Sequence, residues 1–174
     1  MKRSFITLLS FVAAVAVPAL IVVGWYAYGT FTATGAASDP FAWVRVRSFA
    51  VPVVLVTAAH AVVLGVPAFL LLWYLKRINW FSTTIAGFVL GCIPVGVFAW
   101  PLRYASPGSS SAHWSGGHMV QTMVNGVPTF AGWLSWARLV GFFGLLGACG
   151  GLAFWFVWRS HANNSIQRTR YAGR

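Results

Sequence analysis

An all-α membrane fold is what this sequence predicts: a four-transmembrane-helix bundle with a short outer β-hairpin, or an irregular loop, between the third and fourth helices. Three observations predict it. Hydrophobic residues make up 59% and charged residues 7% of the 174-residue chain, too little polar surface to coat a soluble domain. Apolar runs at residues 5–28, 50–75, 80–102 and 131–158 each reach the roughly 20 residues that a hydrocarbon core of about 30 Å requires. The cations gather at the ends of these runs, with Arg138 alone inside one. The chain therefore reads as one integral membrane domain over residues 1–174, with outer loops at 29–49 and 103–130 and a basic tail at 159–174.

The formal charge of +11 would suggest nucleic acid in a soluble protein, but its distribution points to lipid. Lys2 and Arg3 precede the first span, Lys76 and Arg77 fill the turn between the second and third, and Arg159, Arg168, Arg170 and Arg174 follow the fourth. All of these fall on one side of a four-span protein, against Arg45, Arg47 and Arg103 on the other. The positive-inside rule then makes both termini cytoplasmic, and the basic ends face anionic headgroups, each charge contributing about 1 kcal/mol. Basic residues are too sparse in the tail for nucleic-acid binding. Short turns and the lack of recognisable eukaryotic targeting signals favour a bacterial-type inner membrane.

The opening "MKRSFITLLSFVAAVAVPALIVVGWYAYG" imitates a secretory signal, yet its apolar run passes Pro18 and reaches Trp25. A signal's apolar region stops at about 7–15 residues, so an uncleaved first span is expected. In the loop that follows, Ser38 or Asp39 can cap a helix and Pro40 suits its first position. A short interfacial helix is expected there, with Phe41 and Trp43 at headgroup depth and Arg45 and Arg47 reaching phosphates. The second and third spans are joined by a short turn at Lys76 and Arg77.

The loop before the fourth span divides in two. "SPGSSSAHWSGGH" is Ser- and Gly-rich and reads as flexible. In "HMVQTMVNGVPTF", Asn125 and Gly126 separate two β-prone runs, a strong signal for a two-residue type I′ hairpin, although an irregular loop with one Asn-Gly turn fits as well. Pro128 restricts the second run to an edge, and Thr129 can cap the fourth helix.

A faint internal echo links the two halves. Pro18 stands ten residues before Tyr28, as Pro94 does before Tyr104, and Phe-Ala with a nearby Trp precedes both the second and fourth spans. Duplicated hairpins related by an axis along the membrane normal would give this pattern, and so would the shared demands of lipid interfaces.

Packing is signalled most clearly in the fourth span, where Ala137, Gly141, Gly144, Ala148 and Gly151 recur at helical spacing. Small residues let backbones approach closely where no hydrophobic drive separates helix from lipid. The second span offers a matching seam in Ala58, Ala61, Gly65 and Ala68, and the third offers Gly87 and Gly91. Such seams serve packing within the bundle or a homo-oligomer. Cys92 and Cys149 differ in depth by only about 4–5 Å and read as packing residues rather than a disulfide.

Ionisable groups within a span are functional suspects, and here they are His60 and Arg138. Counted from the outer surface they lie about eleven and eight residues deep, close enough in level to line one cavity. Asp39 is the only acidic side chain, which removes paired-carboxylate hydrolysis, carboxylate-held metals and Asp/Glu proton relays. "HWSGGH" is not a G-x-S-x-G nucleophile elbow, so an enzyme is not expected, nor is a cofactor. His113, His118, Met119 and Met123 form the soft donor set that suits Cu(I), though strand alternation would put Met119 and Met123 opposite His118. The expected role is non-catalytic: an accessory, scaffold or assembly subunit with a membrane-protein partner. Its alternatives are a small transporter or channel lined by His60 and Arg138, and an outer copper handler.

Overall fold

The computed structural model describes residues 2–32, 39–104, 106–115 and 117–172. The chain runs α1 (Lys2–Thr32), α2 (Ala42–His60), a π-helical turn (Ala61–Gly65), α3 (Val66–Tyr74), α4 (Trp80–Phe98), a 3₁₀ turn (Pro101–Tyr104), β1 (Ser111–Ser115), β2 (His118–Val124), β3 (Val127–Pro128) and α5 (Phe130–Ala172). Because α2, the π turn and α3 are continuous, the helices form four rods long and apolar enough to cross a membrane: Phe5–Thr32, Ala42–Tyr74, Trp80–Arg103 and Phe130–Ser160. Large apolar side chains line their outer surfaces, among them Leu20, Leu55, Val62, Val97 and Leu145.

The second rod starts earlier than the sequence suggests. An outer loop over residues 29–49 is expected, but α1 continues to Thr32 and α2 begins at Ala42, so the interfacial helix and the second span are one element. Ala42 and Val46 are buried and carry the α1–α2 contact into the first turns, with no helix breaker before Pro52. Asp39 organises the start. Its Oδ1 accepts from the Phe41 N–H at 2.9 Å, and Oδ2 forms an ion pair with Arg45. Within the chain Arg45 is paired with Asp39; Ser38, the other capping candidate, lies outside the described residues.

Helix prolines are accommodated without ending the rods. Pro18, Pro52 and Pro94 lie within α1, α2 and α4. Between α2 and α3 the ladder widens, and the Val66 N–H donates to the Ala61 carbonyl, a π-type bond, one residue before Pro67 removes a donor altogether. α4 starts on a capping box: Asn79 Oδ1 accepts from the Ser82 N–H at 2.8 Å and the Asn79 N–H donates to Ser82 Oγ at 3.3 Å. Residues 159–174, read as a basic tail, continue α5 as helix to Ala172.

α5 is the central helix, with α4 on one side and α1 on another, while α2 packs on α1. The α5 face toward α4 is built on backbone. A Cβ on Gly147 would collide with the Gly87 carbonyl oxygen, one on Gly87 with the Gly147 carbonyl, one on Gly91 with the Phe143 carbonyl and one on Gly151 with the Thr83 carbonyl. Gly144 meets α4 side chains, since its Cβ would lie 2.6 Å from Cys92 Sγ and 2.7 Å from Phe88 Cε2. Cys92 in turn sits 3.6 Å from the Val140 carbonyl, and both cysteines are free thiols. A second small-residue contact turns toward α1, where a Cβ on Gly150 would lie 2.8 Å from the Ala14 carbonyl oxygen.

This differs in detail from the expected seam. Gly144 and Gly151 are on it, but Gly141 faces open space and exposed Ala137 lies off it, while Gly147 takes the place of half-buried Ala148. The partner is the Gly87 and Gly91 seam of α4. The other candidate seam turns to α1: Ala58 and Ala61 line a groove beside it, a Cβ on Gly65 would lie 3.5 Å from the Phe11 ring, and Ala68 is half-buried. The two helical hairpins thus pack differently, α4 with α5 through glycine and α1 with α2 through larger side chains.

Gly147→Val should lower the thermal stability of the purified protein in mild detergent by about 1–3 kcal/mol, the usual cost of overpacking. Gly141→Val should change it by about 0.5 kcal/mol or less. Equal losses would contradict the assignment of the seam to Gly147.

Candidate functional site

The sheet forms a cap on one end of the α4–α5 pair. Its strand order is β1-β2-β3, antiparallel throughout. Asn125 and Gly126 both have positive φ, 50° and 80°, as a type I′ turn requires, and β3 is an edge strand ending on Pro128. β1 was not expected. The Ser- and Gly-rich segment read as flexible pairs with β2, from Ser115 opposite His118 to Ser111 opposite Met123, with a bulge between Ser111 and Ala112. The signal was Gly116-Gly117 between two short runs, a hairpin dipeptide in its own right.

Thr129 joins sheet to helix. Its Oγ1 accepts from the Gly132 N–H at 3.2 Å, capping α5, and donates to the Gln121 carbonyl at 2.7 Å; its own N–H donates to the Thr122 carbonyl at 3.0 Å. Gly132 is required beside it, because a Cβ there would strike the Thr122 carbonyl oxygen. The far turn is held as well: the Gly126 N–H donates to the Ser109 carbonyl at 2.7 Å, and a Cβ on Gly126 would lie 2.6 Å from the Ser106 carbonyl oxygen.

Between this cap and the helices lies a cavity of about 390 Å³, lined by Trp100, Trp136, Ser111, Thr122, Met123 and Ser135 among others. Trp100, Trp133 and Trp136 pack edge to face around one another, with ring centroids 5.1–5.9 Å apart. Trp136 Nε1 donates at 3.4 Å to the Gly96 carbonyl, one of the α4 end carbonyls that lack a helical partner. Across the mouth, the Ser111 and Thr122 hydroxyls are 3.0 Å apart. Its lining offers hydroxyls and indole faces and no ionisable side chain, so it can hold a small amphipathic group but has no acid or base to transfer a proton. Nothing in the sequence reading drew these three tryptophans together. Trp133 and Trp136, one helical turn apart, were the available sign of a cluster.

A second cavity, about 670 Å³, is a groove between α1 and the α2–α3 rod. Leu8, Ala19, Leu20 and Val23 line it on one side and Ala50, Val54, Ala58 and Val66 on the other, with every lining side chain apolar. Aromatic pairs close its ends: Tyr26 stacks on Phe49 at 4.2 Å and Phe31 meets Trp43 at 4.9 Å. At the opposite end Phe11, Phe69 and Phe154 form a triad.

His60 and Arg138 line neither cavity. The His60 Nδ1 is 3.2 Å from the Val56 carbonyl of its own helix, so the ring is satisfied locally rather than by a neighbouring helix. Arg138 is exposed and makes no hydrogen bond or ion pair with a described residue. The copper candidates are divided by the pleat. His113 lies opposite Val120 and Ser115 opposite His118, so the two histidines share one face, while Met119, opposite Trp114, is on the other. Met123 lies beyond the bulge, opposite Ser111, and its sulfur is 3.4 Å from Ser109 Oγ. No cluster of three or more His, Cys, Asp or Glu side chains occurs among the described residues.

Thr129→Ala should cost about 1 kcal/mol of thermal stability, as loss of a helix cap does, and Thr129→Ser should restore most of it. An unchanged melting temperature in Thr129→Ala would show that the sheet is not held to α5 through this side chain. Comparison of the chain with protein-family models, with curated proteins and with solved structures finds no match.

Proposed function

We propose that this chain is a single four-pass domain of a bacterial-type inner membrane, with both termini cytoplasmic. In this reading it is a non-catalytic accessory, scaffold or assembly subunit that presents the sheet in the outer compartment to a membrane-protein partner. The membrane part is supported by four long apolar rods and the orientation by the cations at Lys2, Arg3, Lys76, Arg77 and Arg159.

The observation that carries the scaffold part is a sheet tied to the start of α5 by hydrogen bonds and close backbone contact. Thr129, Gly132 and Gly126 fix it to its surroundings by backbone contact. On the face away from the two histidines, the cross-strand pair Trp114 and Met119 is 69% and 67% exposed. A large aromatic and a thioether presented on a firm support form the kind of adaptable contact common at protein interfaces. The only acidic side chain is engaged with Arg45, and both cavities are lined by groups that do not titrate, which favours binding over catalysis.

Two measurements test this. Met119→Cys should react with an impermeant maleimide in intact cells and Lys76→Cys only after lysis; the reverse pattern would overturn the orientation. A photo-crosslinking residue in place of Met119, expressed in native membranes, should join one defined membrane protein, whereas the same residue in place of Leu55 should not. Absence of any protein adduct at Met119 would remove the scaffold reading and leave the topology intact.

A further inference from the structure

We infer that the groove between α1 and the α2–α3 rod holds one acyl chain of an anionic glycerophospholipid, whose phosphate is met by Arg47. The inference rests on the chain lying in a bilayer, and not on the accessory role.

The dimensions select the occupant. From Leu8 to Val23 the α1 wall is about 22 Å long at about 1.5 Å per residue. Spread along that length, a volume of 670 Å³ gives a cross-section of roughly 30 Å². An α-helix with its side chains is about 10 Å across, a cross-section of roughly 80 Å², so a partner helix or a second copy could lay side chains into the slot but not run along its floor. A polymethylene chain is narrow enough. The slot cannot close on itself, because the Tyr26–Phe49 and Phe31–Trp43 pairs at one end and the Phe11–Phe69 pair at the other set the distance between the helices. Ala19, Ala50 and Ala58 leave the width between them. A void of this size in lipid would forfeit dispersion contacts along its whole wall.

Charge selects the headgroup. The groove stripe on α2 runs Ala50, Val54, Ala58, Ala61, and continued one turn toward the start of the helix it reaches Arg47, three residues before Ala50. Trp43 and Tyr74 mark the ends of the rod about 46 Å apart at about 1.5 Å per residue, close to the roughly 40–45 Å of a bilayer with its headgroups. Arg47, one turn inside Trp43, falls at phosphate depth. The two arginines of this turn differ. Arg45 is neutralised by Asp39, whereas Arg47 is exposed and has no hydrogen-bond or ion-pair partner among the described residues. The chain bears one acidic side chain in all, and Arg45 holds it.

The test uses the full chain in nanodiscs of equal phosphatidylglycerol and phosphatidylcholine with identical acyl chains. The lipid retained after mild detergent extraction is then counted by native mass spectrometry. The unmutated protein should retain about one lipid, enriched about fivefold in phosphatidylglycerol, the factor one arginine near an anionic surface contributes. Arg47→Gln should bring the ratio to that of the bulk, Arg47→Lys should restore it, and Arg138→Gln should leave it unchanged. Ala58→Phe, which fills the slot, should reduce retention of both lipids, and soluble glycerol phosphate should not displace the bound one. No enrichment in the unmutated protein, or enrichment that survives Arg47→Gln, would overturn the inference, as would a disulfide-linked dimer formed through Ala58→Cys. A protein that fails to enter the nanodisc would overturn the membrane reading along with it.

Discussion

Backbone-to-backbone contact between α4 and α5 is the constraint on which the other parts depend. Gly87 against Gly147, Gly91 against Phe143 and Gly151 against Thr83 bring main chain against main chain at three levels, and none of the four glycines has room for even a methyl group. Apolar side chains have little to gain by leaving lipid for each other, so helix association in such a protein relies on closeness of approach. With α4 fixed on one side of it, α5 presents Gly150 and Phe154 elsewhere for α1. Its first turn, aligned by the same contact, receives the sheet at Gly132. The cap, the tryptophan cluster beneath it and the placement of α1 all take their positions from one helix.

The α1–α2 pair follows a different rule. Here the helices are held by aromatic pairs at their ends and kept apart between them by side chains of unequal size, which leaves a groove where the glycine pair leaves none. The contrast weakens the idea that the two hairpins are structural copies: the shared Pro, Tyr and Trp positions mark interfaces, and interfaces recur for reasons of lipid. It also separates two kinds of surface on one small protein, a rigid polar-edged cap and a soft apolar slot.

Much of the fold was legible in the sequence because its strongest signals are local. Length and hydropathy mark the four rods, Asn125-Gly126 marks its turn, and Thr129 marks the start of α5; each depends on a few adjacent residues and on backbone geometry alone. What escaped was longer in range. β1 was hidden because its serines and the glycines around it favour coil, and only pairing with β2 makes a strand of Ser111–Ser115. The α2 start was hidden because a buried face at Ala42 and Val46 exists only once α1 is beside it. The asparagine-serine capping box of α4 lacks the glutamate that usually announces one.

The candidate site was legible in its parts rather than in its assembly. His60 and Arg138 stand out in the sequence because charge is scarce inside an apolar span, yet rarity along a chain carries no information about direction, and in space neither lines the tryptophan-walled cavity or the groove beside α1. His113, His118, Met119 and Met123 are neighbours in sequence, and the two-residue period of a strand divides them between faces. What the sequence determined by itself was the apolar character and number of its long rods and the single acid it carries, all of which follow from composition and local periodicity. Which glycines face which helix, and where the remaining space falls, only the tertiary structure decided, because close packing depends on the rotation of each helix about its axis, and that rotation is set by partners distant in the chain.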